Sequence, residues 1–254
     1  LEPLVALRGR TGPGPAHPAA TGDGATADAT SGDVTSGDAT SGRAAFRSGQ
    51  ANVWGSISVD TERGLVFLPT SSPSPDYYGG LRPGANRDAN SVIAVQAATG
   101  RIVWSFQTVH HDLWDYDVPA APTLFDWQGS DGRSTPAVVF ATKTGFVFVL
   151  DRLTGRPLTP VEERPVPASD VAGESASPTQ PFSVGQPVLS PQKVGPEDAF
   201  GLVGMDWWAC RREIAATPRR EGLFTPPSTA GALVVPMGGG GANWGGAAID
   251  APAR

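Results

Sequence analysis

The sequence contains little cysteine, lysine or charge, and it lacks long apolar segments. A single cysteine, Cys210, excludes a framework of internal disulfide bonds. The net charge of −6 at pH 7 argues against a nucleic-acid partner, because domains that bind nucleic acids are usually basic. No apolar run approaches the roughly 18 residues of a membrane span, and the first residues lack the basic start of a signal peptide. We therefore expect neither a signal nor a transmembrane segment in this chain.

Glycine and proline, in contrast, are abundant: the 254 residues include 32 glycines and 25 prolines. These two residues are the weakest helix formers, so the composition disfavours a helical bundle. The turn residues separate short runs rich in valine, isoleucine, phenylalanine and tryptophan. This pattern favours an all-β protein with many short strands.

The composition changes near residue 45. Most of residues 1–45 are Gly, Ala, Ser, Thr, Pro or Asp, and a Thr-Ser-Gly triplet recurs every five residues from Thr30 onward. Such a segment cannot bury enough apolar surface to offset the entropy that it would lose on ordering. We predict a disordered, low-complexity segment over residues 1–45 and a folded domain over residues 46–254.

Three antiparallel β-hairpins with glycine-containing turns are predicted in the folded domain. They pair residues 54–60 with 65–69, 91–96 with 101–107, and 137–142 with 146–150. A helix is indicated over residues 206–216. The stretch from 161 to 197 is rich in proline and serine and predicts a long surface loop.

Two internal repeats indicate a β-propeller. Residues 94–104 resemble residues 149–158, with Thr-Gly turns 55 residues apart, and residues 52–60 resemble residues 243–250. Repeats of roughly 40 to 50 residues with several strands in each unit are typical of propeller blades. The second repeat stops at Arg254, before its hairpin partner, so we expect the chain to end inside a blade. The predicted fold is therefore all-β, a partial β-propeller.

The densest polar cluster, residues 108–117, directly follows a predicted strand. In an extended segment Asp115 and Asp117 lie on the same face, because they are two residues apart. Two carboxylates on one face suit a hard divalent cation, and a carboxylate beside such a cation can take a proton from a substrate hydroxyl. The alternative interpretation is an Asp-rich surface turn with a histidine cap.

Three further residues have both a structural and a functional interpretation. Lys143 lies in a predicted hairpin turn, where a lysine is usually solvated, but it could also stabilise a developing oxyanion. Trp54 and Trp244 are either core aromatics or the floor of a site for a flat cofactor.

Several of these stretches resemble the pyrroloquinoline quinone (PQQ)-dependent dehydrogenases, in particular the membrane-bound glucose/quinate/shikimate branch. The resemblance covers about 200 of the 254 residues. It implies an eight-bladed propeller, of which this chain supplies about four blades, with PQQ on the propeller axis and a divalent cation (Ca²⁺ or Mg²⁺) beside it. The identifying stretches are Thr108-Val-His-His-Asp-Leu-Trp-Asp-Tyr-Asp117, Phe146-Val-Phe-Val-Leu-Asp-Arg152, Pro178-Thr-Gln-Pro-Phe182, Glu221-Gly-Leu-Phe-Thr-Pro-Pro227 and Asn243-Trp-Gly-Gly246.

The resemblance also implies roles for single residues. Asp115 matches the catalytic base of the family, and Asp117 matches a position that joins the metal shell in some relatives. Lys143 matches the basic residue that hydrogen-bonds the quinone oxygens. Trp54 matches the tryptophan under the PQQ ring, and Asn243 lies where relatives often place a polar side chain near the cofactor. Trp244, its neighbour, is a further candidate for cofactor stacking.

The implied activity is the oxidation of a CH–OH group of a small polyol or aldose. Hydride passes to PQQ, and the electrons pass to a membrane quinone at the periplasmic face of the inner membrane. Two alternatives are a non-catalytic propeller that binds a partner through its rim and an inactive truncated fragment. One departure is Ser72, which stands where soluble relatives place a metal-binding asparagine. The family's acidic metal ligand belongs to earlier blades outside this chain. A half propeller also leaves two sheet faces without a neighbour and lacks the closure that protects its edges, so we expect the chain alone to be neither stable nor active.

Overall fold

The structure is a computed structural model that describes residues 51–129 and 132–250. The predicted low-complexity segment, residues 1–45, lies outside the described residues. Within them, antiparallel β-sheet dominates, as the all-β prediction requires. The elements are β1 (Ser58–Asp60), β2 (Leu65–Pro69), β3 (Ser91–Gln96), β4 (Ile102–Gln107), β5 (Thr123–Gln128), β6 (Ser134–Ala141), β7 (Val147–Asp151), β8 (Val161–Pro165), β9 (Thr179–Ser183) and α1 (Gly204–Ala216), with short 3-10 turns at Gly79–Leu81 and Pro196–Asp198.

The first sheet is a four-stranded meander in the order β1-β2-β3-β4. Two of the three predicted hairpins form it, with Ser58 opposite Phe67 and Ala94 opposite Trp104. The turns between the paired strands contain Gly64 and Gly100, both at positive φ. A residue with a Cβ is strained in this left-handed conformation, so glycine at these two positions fixes where each strand reverses.

The second sheet has the order β5-β6-β7, and its β6–β7 hairpin is the third predicted one. Its edge strand β5 was not predicted from the sequence. A third sheet pairs β8 with β9 inside residues 161–197, so the prediction of one long loop there is wrong. The apolar pattern misses β8 because four of its five residues are exposed, and backbone pairing with β9 holds it in place.

The three sheets contain four, three and two strands. The described residues therefore form fewer complete blades than the four expected. The repeat that joins residues 52–60 to 243–250 is also unequal in structure, because the first copy contains β1 and the second has no assigned strand. The predicted helix over residues 206–216 is confirmed as α1. None of the helices in the described ranges is long and apolar enough to cross a membrane.

Trp104 joins the first sheet to the second. Its indole Nε1 donates a hydrogen bond to the carbonyl oxygen of Arg152 at 3.0 Å. The ring packs so closely on Gly155 that a Cβ there would come within 2.7 Å of it. Arg152 also forms an ion pair with Asp60 at the end of β1, at 2.9 Å. The turn after β7 is thus held to the first sheet by an aromatic contact, a hydrogen bond and a buried ion pair.

Candidate active site

The site is built around Lys143, whose ammonium group contacts two carboxylates. Its Nζ lies 3.0 Å from Asp115 Oδ2 and 2.7 Å from Asp117 Oδ2. Lys143 and Asp117 are buried, whereas the Asp115 side chain retains 26% of its exposure. The structure thus brings together three residues that the sequence placed in one site, and it leaves Asp115 as the carboxylate that solvent or a substrate can reach.

The backbone holds Lys143 in place on two sides. The residue lies in the turn between β6 and β7, closed by a hydrogen bond from Thr142 N to Phe146 O at 3.1 Å. Its own amide donates to the carbonyl oxygen of Asp117 at 3.3 Å, and its carbonyl accepts from the amide of Gly241 at 2.8 Å. The interpretation of Lys143 as a solvated turn residue is therefore wrong, because neighbouring segments bury it.

The two aspartates share Lys143, although the segment between them is not a strand as the sequence argument assumed. Residues 112–119 form an irregular loop, and Asp115 has φ = 63°, in the left-handed region. Asp117 is fixed separately, because its Oδ1 accepts a hydrogen bond from the amide of Ser72. A turn at Asp115, rather than the alternation of a strand, directs both carboxylates to the same ammonium group.

A glycine-rich loop covers this cluster, and the sequence analysis assigned it no role in the site. A Cβ at Gly240 would come within 2.6 to 2.8 Å of the Lys143 side chain and Cα, and Gly240 also has φ = 81°. A Cβ at Gly238 would lie 2.7 Å from the Tyr77 hydroxyl and 3.5 Å from Asp115 Oδ2. Glycine at these positions lets the loop approach the cluster, and Gly238 lies beside both the Tyr77 hydroxyl and Asp115 Oδ2.

Burial and neighbouring charges shift the pKa values in the cluster. Burial raises the pKa of Asp115 to about 6, the negative charge of Asp117 adds to this effect, and the bond from Lys143 opposes it. Burial alone would lower the pKa of Lys143, but the bonds to Asp117 and Asp115 outweigh it and raise that pKa. Asp115 is therefore the group of this cluster that changes protonation near neutral pH.

Trp54 and Trp244 line a separate open cavity of about 420 Å³, together with residues 119–121. Both indoles are exposed, so the interpretation of these tryptophans as core residues is wrong. Asp115 and Lys143 are absent from the described lining, but Asp117 lies two residues from it along the chain. The structure thus groups the candidate site residues into a charged cluster and a neighbouring aromatic cavity.

Asn243 lies beside both parts of the site. Its Nδ2 donates to the carbonyl oxygen of Gly239 at 2.9 Å, within the loop that covers Lys143. Its Oδ1 is buried and has no hydrogen-bond partner among the described residues. The Oγ of Ser72, next to Asp117, also lacks a close hydrogen-bond partner among these residues, although it lies near enough to the Asp112 carboxylate to lower the pKa of that group. Buried polar atoms are normally paired, so these two oxygens are candidates for contacts with a bound group.

The described residues contain no cluster of three or more His, Cys, Asp or Glu side chains that could hold a metal ion. Asp115 and Asp117 offer carboxylate oxygens, the ligand type that Ca²⁺ and Mg²⁺ prefer. With both ionised, the two carboxylates exceed the charge of Lys143 by one negative unit. This balance suits a cation, but a complete coordination shell would require ligands in addition to these two.

Successive antiparallel sheets define a β-propeller protein. Its polar site, the carboxylate–lysine cluster, lies on the loop after β4 and on the turn between β6 and β7. Residues 20–254 match the family model "PQQ: Glucose/ethanol/alcohol dehydrogenase, beta-propeller domain". The chain therefore belongs to the PQQ-dependent dehydrogenase family, as its sequence motifs predicted, and its fold is that of a partial β-propeller.

Curated relatives cover most of this chain. The "Probable quinate dehydrogenase (quinone)" of Xanthomonas campestris pv. juglandis is 46% identical over 200 residues, which is 78% of this chain and 25% of the relative. The "Quinate/shikimate dehydrogenase (quinone)" of Acinetobacter baylyi is 42% identical over 206 residues, with coverage of 81% and 25%. The "Quinoprotein glucose dehydrogenase A" of Acinetobacter calcoaceticus is 41% identical over 212 residues, with coverage of 81% and 26%. The chain thus spans about a quarter of the length of these relatives.

Among solved structures, the quinohemoprotein alcohol dehydrogenase from Comamonas testosteroni aligns with 54% of this chain and 20% of its own chain. The sequence identity is 27% and the TM-score is 0.42.

Proposed function

We propose that this chain forms part of a PQQ-dependent dehydrogenase that oxidises a CH–OH group of a small polyol or aldose, with Asp115 as the base. The observation that carries the proposal is the Asp115 carboxylate, which is partly exposed, lies 3.0 Å from Lys143 and has a pKa of about 6. A base with a pKa close to the working pH is ionised and still binds a proton well. Asp115 has both properties.

The residues of the cluster divide the chemistry between them. Bound PQQ would supply the electrophilic quinone that accepts hydride. Asp115 accepts the proton of the substrate hydroxyl on its exposed carboxylate oxygen. Lys143 stabilises negative charge that develops beside it during the reaction, because a buried cation acts strongly in a site from which water is excluded. Asp117, fixed by the Ser72 amide, keeps Lys143 protonated and oriented.

The residues present fit a flat aromatic cofactor and supply two of the ligands that a divalent cation would need. Trp54 and Trp244 provide aromatic surfaces in a cavity of about 420 Å³, a volume in the range of small-ligand sites. Asn243 Oδ1 and Ser72 Oγ would accept or donate hydrogen bonds there. Asp115 and Asp117 would supply carboxylate oxygens to Ca²⁺ or Mg²⁺.

The names of the relatives support a proposal for the electron acceptor, and the resemblance to the membrane-bound branch supports one for the location. Two of them carry "quinone" in their names. We therefore propose that electrons pass from PQQ to a membrane quinone, and that the intact protein acts at the periplasmic face of the inner membrane. Quinate, shikimate and glucose, the substrates in the relatives' names, define the class of hydroxyl compounds to be tested first.

The cofactor proposal is tested in a chimera in which this chain replaces the aligned 212 residues of the Acinetobacter calcoaceticus enzyme. The chimera is titrated with PQQ in the presence of Ca²⁺ or Mg²⁺, and tryptophan fluorescence is followed. We expect saturable quenching that weakens at least fivefold in Trp54→Ala. The matched control is Trp207→Ala, which removes a similarly exposed indole from α1, away from the cavity. Equal affinity in the two variants would contradict the assignment of Trp54 to the cofactor site.

The role of Asp115 is tested by turnover in the same chimera. Asp115→Asn keeps the shape of the side chain but removes the base, so we expect turnover to fall at least 100-fold while PQQ still binds. Asp126→Asn, at an exposed aspartate of β5, is the control. Near-normal turnover in Asp115→Asn would rule Asp115 out as the base. PQQ binding without turnover in the unsubstituted chimera would favour an inactive fragment.

A further inference from the structure

We infer that Asp112 is a positioning residue that holds Asp115 in its left-handed conformation by binding the backbone amides of the residues on both sides of it. Asp112 Oδ1 accepts a hydrogen bond from the amide of Trp114 at 2.9 Å. Asp112 Oδ2 accepts one from the amide of Tyr116 at 2.7 Å. Trp114 and Tyr116 are the neighbours of Asp115, so one carboxylate spans the turn in which Asp115 lies.

The conformation of Asp115 needs such a constraint. Its φ of 63° costs a residue with a Cβ free energy, and such a conformation persists only when its surroundings impose it. No strand pairing provides the constraint, because residues 112–119 form an irregular loop. The carboxylate of Asp112 compensates for the missing pairing, since it satisfies two backbone donors that the loop would otherwise bury unpaired.

The Asp112 carboxylate is itself fixed from the other side. It is fully buried, and its Oδ2 also accepts a hydrogen bond from Asn90 Nδ2 at 2.7 Å. The same Asn90 nitrogen donates to the carbonyl oxygen of Tyr116 at 3.0 Å. Arg82 donates to the backbone carbonyl of Asp112. Asn90, which directly precedes β3, therefore helps to hold the Asp115 turn in position.

The neighbouring tryptophan and tyrosine anchor the same turn in the core. Trp114 Nε1 donates to the carbonyl oxygen of Thr225 at 2.7 Å, and the Tyr116 hydroxyl donates to the carbonyl oxygen of Pro236 at 2.6 Å. These side chains fix where the two peptide groups lie. Asp112 fixes how those groups are turned, and this orientation decides where the Asp115 carboxylate points.

The inference deepens the proposed function, because the value of holding Asp115 rests on its role as the base. The conformational part can be tested in the cofactor-free form of the chimera described above. Asp115→Gly and Asp115→Ala both remove the carboxylate and its contact with Lys143. Glycine tolerates positive φ better than alanine, and its larger freedom in the unfolded chain acts in the opposite direction. We expect urea unfolding to give an unfolding constant about fivefold or more larger for Asp115→Ala than for Asp115→Gly.

The same pair is then compared in the presence of Asp112→Asn, which replaces one acceptor oxygen with an amide group that faces a backbone N–H. We expect the ratio of the two unfolding constants to fall toward one, because residue 115 is then free to leave the left-handed region. An unchanged ratio would overturn the inference.

Amide hydrogen exchange provides a second measurement, which remains informative even if Asp112→Asn does not fold. In the unsubstituted chimera we expect the amides of Trp114 and Tyr116 to exchange about tenfold or more slowly than those of Leu153 and Thr154. The latter two amides bind the partly exposed Asp151 in a surface turn and serve as the matched control. Exchange of Trp114 and Tyr116 as fast as that of the control amides would overturn the inference.

Turnover of the chimera connects the turn to catalysis. We expect Asp112→Asn to lower kcat about 100-fold with KM changed less than threefold, since a displaced base slows the chemical step more than substrate binding. Asp151→Asn, which alters the control turn, is expected to change neither constant. A chimera that shows no turnover before substitution would refute the proposed function, whereas the unfolding and exchange experiments would still decide the role of Asp112.

Discussion

Replacing Lys143 with methionine would leave two carboxylates facing each other without their shared cation. The side chains are similar in length, so the substitution removes the charge with little change in packing. The Asp115 and Asp117 oxygens lie 3.0 and 2.7 Å from Nζ, which places them within about 6 Å of each other. At an effective dielectric constant of about 20, two unit charges at that separation repel each other by about 3 kcal/mol.

Partial exposure of Asp115 reduces this cost, because solvent screens a carboxylate that retains 26% of its exposure. We therefore expect Lys143→Met to lower the free energy of unfolding by about 2 to 3 kcal/mol at pH 7.5. The loss should be smaller at pH 5. The folded-state pKa of Asp115, raised to about 6, rises further without Lys143, so at pH 5 the folded state binds a proton that removes the repulsion.

Urea unfolding of the chimera at the two pH values measures this difference. The matched control is Lys193→Met, because Lys193 is the only other lysine of the chain and is exposed. A surface substitution of this kind is expected to change the free energy of unfolding by no more than about 0.5 kcal/mol. The electrostatic account would be refuted if Lys143→Met cost no more than the control, or if its cost were the same at pH 5 and pH 7.5.

Two further predictions concern the inter-sheet contact and the pH dependence. Gly155→Ala would push a methyl group into the Trp104 indole, whereas the control position Gly100 has the same positive φ and open space around it. Urea unfolding should show a loss of unfolding free energy that is at least about 1 kcal/mol larger for Gly155→Ala than for Gly100→Ala. Equal losses would contradict the contact between Gly155 and Trp104. In the chimera, kcat/KM should rise with pH as Asp115 loses its proton, with a midpoint near pH 6 or at a lower pH when a cation is bound. A profile without this rise would exclude Asp115 as the titrating base.

Turn chemistry made much of the fold predictable. The three predicted hairpins form, and each reverses at a turn that contains a glycine at positive φ: Gly64, Gly100 or Gly145. The pairing of β8 with β9 was missed for a physical reason. The residues of β8 are mostly exposed and rich in charge, and each strand contains a proline, so the pair has no apolar period that the sequence could reveal.

The candidate site was predictable in its charged residues but not in its geometry. Motif resemblance identified Asp115, Asp117 and Lys143, and the structure brings all three into contact. The left-handed turn at Asp115 could not be predicted, because aspartate rarely adopts that conformation without tertiary support. The approach of Gly240 to Lys143 was equally hidden, because it joins segments that are far apart in the sequence. Roles in catalysis and cofactor binding stay predictions for all of these residues.

The assembly of the cluster from distant segments has a consequence for how the chain folds. Asp115 and Lys143 are 28 residues apart, whereas the Tyr116 hydroxyl reaches Pro236 across 120 residues. A contact between residues that are farther apart in the sequence costs more loop-closure entropy and therefore tends to form later. During synthesis, the charged pair can therefore form while the covering loop is still being translated. Lys143 becomes covered only when residues 236–241 emerge, so the docking of this loop marks a late step in folding.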